Sequence, residues 1–177
     1  RLAYISKLNI KLIQASKDGT QKFLFELEDG ESIESVLIPN TKGTATYTLC
    51  ISSQAGCAVG CQFCMTGKLG LKRNLKAHEI VDQVIAVKRH IEAQATDAVP
   101  SITNIVFMGM GEPLNNLNEV SSALVTLTDF MGFSRRRITV STAGIIPGIQ
   151  KLAGIKPVVN LAISLNATTD EISSRIM

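Results

Sequence analysis

Hydrophobic and polar residues alternate near the start of the chain, and this alternation predicts an antiparallel β hairpin. The strands are predicted over residues 22–27 and 32–38, and Asp29-Gly30 between them is a common hairpin-turn pair. A stretch rich in turn residues, from Pro39 to Gly43, then interrupts the pattern. We therefore expect an N-terminal unit over residues 1–43 that consists of a small hairpin and a linker.

After residue 43 the pattern changes to strands that alternate with helices. The apolar runs predict strands at 44–52, 102–108, 137–141 and 158–165, with helices at 77–95, from 117 to near 132, and at 148–152. A capping-box pattern over residues 168–171 predicts one more helix.

This order is typical of parallel β/α units, so we predict an α/β fold with outer helices over residues 44–177. Four such units seldom close a barrel. We therefore expect a partial (β/α) barrel in a chain that is truncated at its C-terminal end.

Composition supports a folded, water-soluble chain. Of the 177 residues, 45% are hydrophobic and 19% are charged, which allows a core and argues against global disorder. No apolar run approaches the roughly 18 residues that a membrane-spanning helix needs. The net charge of +3 permits an anionic partner without requiring one.

All four cysteines lie between residues 50 and 64. Such clustering favours a metal or cluster site over a disulfide framework, which would join distant loops. Cys57, Cys61 and Cys64 have the spacing C-x3-C-x2-C, and three thiolates at this spacing can hold three irons of a [4Fe–4S] cluster while the fourth iron stays open. Two alternatives remain at this point: a zinc ion bound by the same three residues and Cys50, and a fully ligated electron-transfer cluster.

Five segments give the chain a family resemblance. They occur in one order along the sequence: TLCISSQAGC at residues 48–57, GKLGLKRNL at 67–75, GMGEPLNNL at 109–117, STAG at 141–144 and AISLNA at 162–167. With the three-cysteine motif they resemble the radical S-adenosylmethionine (SAM) superfamily, and more narrowly its adenosine-C2 methyltransferases of ribosomal and transfer RNA. The run Ser52-Ser53-Gln54 and the place of Cys50 favour this group over other radical SAM enzymes.

The resemblance implies cofactor ligands. Cys57, Cys61 and Cys64 would hold a [4Fe–4S] cluster whose open iron binds SAM. Residues matching the SAM contacts of the family are Gly111, Glu112, Ser141, Ser164, Leu165 and Asn166. Asn166 stands where family members commonly carry His. On residue type alone, Glu112 could instead cap a helix N-terminus, and either serine could be a turn or cap residue.

The resemblance also implies two catalytic residues, Glu34 and Cys50. Glu34 matches the carboxylate that takes the proton from adenine C2. Cys50 matches the cysteine that releases product by forming a disulfide with a methyl-carrying cysteine, a step that needs an accessible thiolate; a buried strand thiol is the plainer interpretation. The methyl carrier of the family lies far downstream, and no cysteine follows Cys64, so we expect a fragment that is inactive alone.

The expected partners follow from the same resemblance. They are ribosomal RNA, transfer RNA and an electron donor such as flavodoxin or ferredoxin, with the protein itself a monomer in the cytoplasm or, in a eukaryote, in a plastid. Two basic clusters could contact RNA phosphates or simply be solvated: one comprises Lys68, Lys72, Arg73 and Lys76, and the other Arg135, Arg136 and Arg137. The alternatives to this function are another radical SAM enzyme and a structural four-cysteine metal module.

Overall fold

The computed structural model describes residues 7–40, 46–95 and 100–177. In these parts of the chain seven strands form one mixed sheet, and two short strands form a separate ribbon. The strands are β1 Asn9–Ala15, β2 Gln21–Glu26, β3 Ser32–Pro39, β4 Thr46–Cys50, β5 Gln54–Gly56, β6 Leu71–Asn74, β7 Ser101–Phe107, β8 Ile138–Thr142 and β9 Asn160–Ile163.

The described helices connect or follow these strands. They are α1 Met65–Lys68, α2 Ala77–Gln94, α3 Leu117–Val125, α4 Ile146–Ala153 and α5 Asp170–Ile176. Short 3-10 turns cover Pro113–Asn116 and Arg135–Arg137, and a π-helical turn over Thr126–Phe130 extends α3.

The large sheet has the order β1-β2-β3-β4-β7-β8-β9. The first four strands pair antiparallel, and β4, β7, β8 and β9 pair parallel. Strand β4 joins the two parts, because Cys50 lies opposite Val36 on one side and opposite Val106 on the other. The sheet is therefore continuous from the hairpin into the β/α units. The boundary predicted at residue 43 lies outside the described residues and stays a prediction.

One face of the sheet packs against α2 and α3. Phe23 and Phe25 of β2 are fully buried, and the ring of Phe23 meets His90 of α2 edge-on with the centroids 5.1 Å apart. On β3, the hydroxyl of Ser35 donates to Gln83 Oε1 of α2 at 2.7 Å. The apolar face that the periodicity of α2 predicts is the face that packs here, since the buried residues of α2 lie on one side of the helix.

The opposite face of the sheet carries a second set of side chains. Residues that pair directly across strands point to the same side, so Val36, Cys50 and Val106 share this face. Glu34 is two residues before Val36 on β3 and therefore lies on the same face. Both candidate catalytic residues are thus on the side of the sheet away from α2.

The predicted α/β fold, with parallel strands, outer helices and an antiparallel hairpin in a partial barrel, is confirmed. Among the strands and α-helices, β1, β5, β6 and α1 were not predicted as separate elements. The last helix forms, but its N-cap is Thr169 rather than Thr168, with Thr169 Oγ1 accepting from the Ile172 N–H. None of the helices in the described ranges has the length and apolar character to cross a membrane.

Candidate functional site

Two glycines shape the cysteine loop between β5 and β6. At Gly56, φ is +75°, and a Cβ there would lie 1.8 Å from the carbonyl oxygen of Gly70, so only glycine allows this approach of the two ends of the loop. The backbone N–H of Cys57 donates to the same Gly70 oxygen at 3.1 Å. At Gly67, a Cβ would lie 2.9 Å from Cys61 O. The absence of a side chain at Gly67 therefore lets α1 pack directly against the loop.

The three loop cysteines line one side of a cavity of about 390 Å³. Its other walls come from the loop after β7, the end of β8 and the segment after β9, including Gly111, Glu112, Ser141, Ser164 and Asn166. All these segments lie at the carboxyl ends of parallel strands, the edge at which such folds place their chemistry. The structure thus brings together eight of the eleven predicted site residues.

Glu112 is 3% exposed and is held by hydrogen bonds from three sides. Its carboxylate accepts from the Leu114 N–H through Oε1 at 3.0 Å and from the Ala143 N–H through Oε2 at 2.7 Å. Its own N–H donates to Gln54 Oε1 at 2.8 Å. The capping role considered from sequence is therefore present, since Glu112 is the N-cap of the 3-10 turn. Each carboxylate oxygen keeps a second lone pair that can accept from a ligand.

The two predicted serines contact each other at the cavity wall. Ser141 Oγ and Ser164 Oγ are 3.1 Å apart and share a hydrogen bond. Asn166 Nδ2 donates to the Ser164 carbonyl at 3.2 Å, which leaves its amide near the cavity. Leu165 is exposed and is not part of the cavity wall.

Glu34 and Cys50 also lie outside the cavity wall. Cys50 is 9% exposed, and burial raises the pKa of its thiol. The accessible thiolate that the disulfide step requires is therefore not present in this conformation. Glu34 is half-exposed and pairs with Lys22, with Oε1 and Nζ 3.0 Å apart. The backbone carbonyl of Glu34 accepts from Ser52 Oγ at 2.5 Å, which places Glu34 beside the segment that leads into the cysteine loop.

The cysteine thiols fit a cluster better than a single metal ion. None of the four cysteines forms a disulfide, and burial is the main cause that raises the pKa of Cys57 and Cys61. Within the described ranges, no three His, Cys, Asp or Glu side chains are arranged to hold one ion. Tetrahedral zinc needs four sulfurs each about 2.3 Å from one point, whereas the thiolates of a [4Fe–4S] cluster bind separate irons.

Cys50 favours the cluster over zinc, because it is buried on β4 and is not part of the cavity wall that the other three thiols line. The three loop cysteines, with a cavity beside them, fit a cluster that has one open iron. The four-thiolate zinc alternative is not supported by this arrangement.

The two basic clusters lie in different surroundings, and their contact with RNA stays a prediction. Arg73 is not a free phosphate contact, because its guanidinium donates to Glu79 at 2.8 Å and also pairs with Asp29. The turn Arg135–Arg137 precedes β8, so it lies at the amino end of a strand whose other end carries Ser141. The two clusters therefore do not surround one cavity.

Comparison with known proteins decides the family. Residues 51–177 match the family model described as the Radical SAM superfamily. The chain belongs to the radical SAM superfamily. The match begins one residue after β4 and includes all three loop cysteines and the remaining cavity wall.

The similar proteins are about twice as long as this chain. It is 54% identical to the dual-specificity RNA methyltransferase RlmN of Geotalea uraniireducens, over 100% of this chain and 48% of that protein. It is 53% identical to the protein of the same name from Geobacter sulfurreducens, over 99% of this chain and 46% of that protein. A crystal structure of a radical SAM methyltransferase from Sphaerobacter thermophilus superposes with a TM-score of 0.86 at 42% identity, over 98% of this chain and 50% of that one.

Sequence analysis missed the residues that support the cavity from behind. Gln54 and Gln83 are fully buried, and Asn116 donates through Nδ2 to the carbonyls of Ser53 and Leu75, each at 2.8 Å. Gln54 and Asn116 do lie in two of the segments that carry the family resemblance, and Gln83 is a polar residue within the apolar pattern of α2. These signals do not show which backbone groups the three amides bind.

Proposed function

We propose that this protein is the core of a radical SAM methyltransferase that methylates C2 of adenosine in ribosomal RNA and transfer RNA. The observation that carries the proposal is the cavity at the carboxyl ends of the parallel strands, with three thiols on one wall and Glu112, Ser141 and Ser164 on the others. RNA methylation is the activity in the names of the relatives that match this chain along its whole length. The C2 position of adenosine is the one that the family resemblance implies.

In this proposal the two sides of the cavity have different tasks. Cys57, Cys61 and Cys64 would hold a [4Fe–4S] cluster, which supplies the electron for reductive cleavage of SAM when it is bound. Glu112 accepts hydrogen bonds from the SAM ammonium, and the Ser141–Ser164 pair supplies hydroxyls for the rest of the ligand. Gly111, Leu165 and Asn166 complete the proposed contacts.

Glu34 and Cys50 are proposed to act next to this cavity, on the same sheet face. Glu34 would take a proton from adenine C2, with Lys22 Nζ 3.0 Å from one of its two carboxylate oxygens. Cys50 would resolve the product by disulfide exchange, and its burial means that the sheet face has to open first. An electron donor of the flavodoxin or ferredoxin kind, a monomeric state and a cytoplasmic location complete the proposal.

The first test is anaerobic reconstitution with iron and sulfide, followed by EPR of the reduced protein with and without SAM. We expect a [4Fe–4S]⁺ signal that changes when SAM is added, because three thiolates would leave one iron of the cluster open to SAM. Cys61→Ala is the matched control and is expected to lose the cluster, whereas Cys50→Ala keeps it. Zinc in place of iron, or equal loss of iron in both variants, would contradict the proposal.

The methyl transfer needs a separate test. Protein expressed from the complete gene is incubated with ribosomal or transfer RNA, a reductant and methyl-deuterated SAM, since this chain spans about half the length of its relatives. We expect labelled 2-methyladenosine after digestion of the RNA, measured by mass spectrometry. Labelled adenosine with the methyl group at another atom would contradict the proposed C2 chemistry while leaving the SAM site in place.

A further inference from the structure

The segment at residues 51–54, before the cysteine loop, is hydrogen-bonded along its length to the loop at residues 109–112. The backbone N–H of Gly109 donates to the Ile51 carbonyl at 3.1 Å. The N–H groups of Ser53 and Gln54 both donate to the Met110 carbonyl, at 2.9 and 3.2 Å. The two segments thus form one backbone unit, which links the cysteine loop to the proposed SAM loop.

Gln54 closes this unit with its side chain. It is 0% exposed, its Oε1 accepts from the Glu112 N–H at 2.8 Å, and its Nε2 donates to Asn74 Oδ1 at 2.7 Å. Asn74 is the last residue of β6, the strand that leaves the cysteine loop. At Gly111, a Cβ would lie 2.5 Å from Gln54 Cβ, so the two backbones approach as closely as a glycine permits.

We propose that Gln54 is a positioning residue that fixes Glu112 in place before SAM binds, and so sets the affinity of the site for the amino-acid end of SAM. This inference rests on the proposed function. Gln54 does not line the cavity, so it acts through Glu112 rather than by touching the ligand.

A carboxamide suits this place because one oxygen accepts while the nitrogen donates. An apolar residue would leave the buried Glu112 N–H without an acceptor, which is unfavourable. The loop would then move to satisfy that N–H, and Glu112 would move with it. Ligand affinity depends on such support, because a mobile carboxylate has to be ordered when the ligand binds, and this ordering costs conformational entropy.

The first experiment needs no cofactor. Exchange of the Glu112 backbone amide is followed by NMR in the wild type, in Gln54→Met and in Gln83→Met. Gln83 is the matched control, since it is also 0% exposed but bonds to Ser35 and Ser52 and not to the loop at residues 109–112. We expect the exchange rate of the Glu112 amide to rise about tenfold in Gln54→Met, the change expected when one buried hydrogen bond is lost. In Gln83→Met this rate is expected to stay at the wild-type value. Unchanged protection in Gln54→Met would overturn the inference.

The second experiment measures SAM affinity of the reconstituted holoprotein from the EPR change. Asn74 is exposed, so its variants test the hydrogen bond that holds the Gln54 side chain with little risk to folding. We expect Gln54→Met and Asn74→Leu to weaken SAM binding about tenfold at unchanged iron content, the loss expected for one hydrogen bond, while Asn74→Asp keeps an acceptor and keeps wild-type affinity.

The outcomes separate this inference from the proposed function. Wild-type affinity in Gln54→Met, in a protein whose cluster responds to SAM, would overturn the positioning role alone. A wild-type cluster that ignores SAM would overturn the proposed function, and the inference with it.

Discussion

The carboxylate of Glu112 accepts a hydrogen bond from the backbone N–H of Ala143, with 2.7 Å between Oε2 and N. This contact joins the loop after β7 to the residue that follows β8. The other oxygen caps the 3-10 turn through the Leu114 N–H. A residue assigned from sequence to ligand binding therefore also holds two adjacent β/α units together, and its substitution affects both stability and binding.

Replacement of Glu112 by Gln is expected to lower the free energy of unfolding by about 2 kcal/mol, because the new NH₂ group faces one of two buried N–H donors and leaves it unpaired. Urea denaturation measures this change. Glu119→Gln is the control: Glu119 accepts from the Ala77 N–H through one oxygen at 2.7 Å, and Gln keeps that oxygen. A loss in Glu119→Gln as large as in Glu112→Gln would contradict the explanation.

Gly111→Ala tests the close approach to Gln54. At Gly111, φ is +98° and a Cβ would lie 2.5 Å from Gln54 Cβ, whereas Gly132 has φ +76° with no atom within 4 Å of its Cβ position. Both alanine variants carry a backbone penalty of about 1–2 kcal/mol, and only Gly111→Ala adds a steric clash. We expect Gly111→Ala to be the less stable by at least about 1 kcal/mol in urea denaturation. Equal stabilities would show that the loop relaxes without strain.

The Arg73 network predicts a dependence of stability on pH. Burial acts to raise the pKa of Glu79, but the hydrogen bonds from Arg73 and from the Lys76 N–H outweigh it and hold this pKa below its ordinary value of 4.5. The hydrogen bond from Arg73 likewise lowers the pKa of Asp29. A lowered pKa in the folded state gives stability that is full above the ordinary pKa and is lost as the pH falls through the folded-state pKa.

Arg73→Met is therefore expected to be less stable than the wild type by about 2 kcal/mol at neutral pH, with a gap that narrows as both proteins are acidified below about pH 4.5. Urea denaturation at a series of pH values measures the gap. Lys88→Met is the control, since Lys88 and Glu92 form an exposed pair 3.9 Å apart. A gap for Arg73→Met that stays constant down to about pH 3 would show that the carboxylates are not coupled to Arg73.

Alkylation with iodoacetamide tests the state of Cys50. Its thiol is nearly buried and its pKa is raised, so little thiolate is available at neutral pH. In the reduced, cofactor-free chain we expect Cys50 to react at least about tenfold more slowly than Cys64, and all four cysteines to react alike in urea. Peptide mass spectrometry gives the rates. Rapid native labelling of Cys50 would show that the sheet face opens readily, as the proposed disulfide step requires.

Several elements of the fold were predictable because their patterns are local. The alternation in β2 and β3, the turn at Asp29-Gly30 and the apolar face of α2 can each be recognised from the order of neighbouring residues in the sequence. Antiparallel β structure was expected over the N-terminal residues, but β1 was not delimited as a strand, because it is an edge strand with no buried residue to mark one face. The β5–β6 ribbon was missed because its two strands have only three and four residues, and their pairing depends on the fold of the cysteine loop between them.

By itself, the sequence determined the features on which the proposed chemistry rests: the three-cysteine spacing, the glycine-rich loop after a strand and the repeated β/α order are all properties of neighbouring residues. Only the tertiary structure decided which polar groups meet. Ser141 and Ser164 are 23 positions apart along the chain, and Gln54 and Glu112 are 58 apart. Such contacts arise because parallel pairing aligns the carboxyl ends of β4, β7, β8 and β9, and because buried N–H groups must find an acceptor wherever the fold places one.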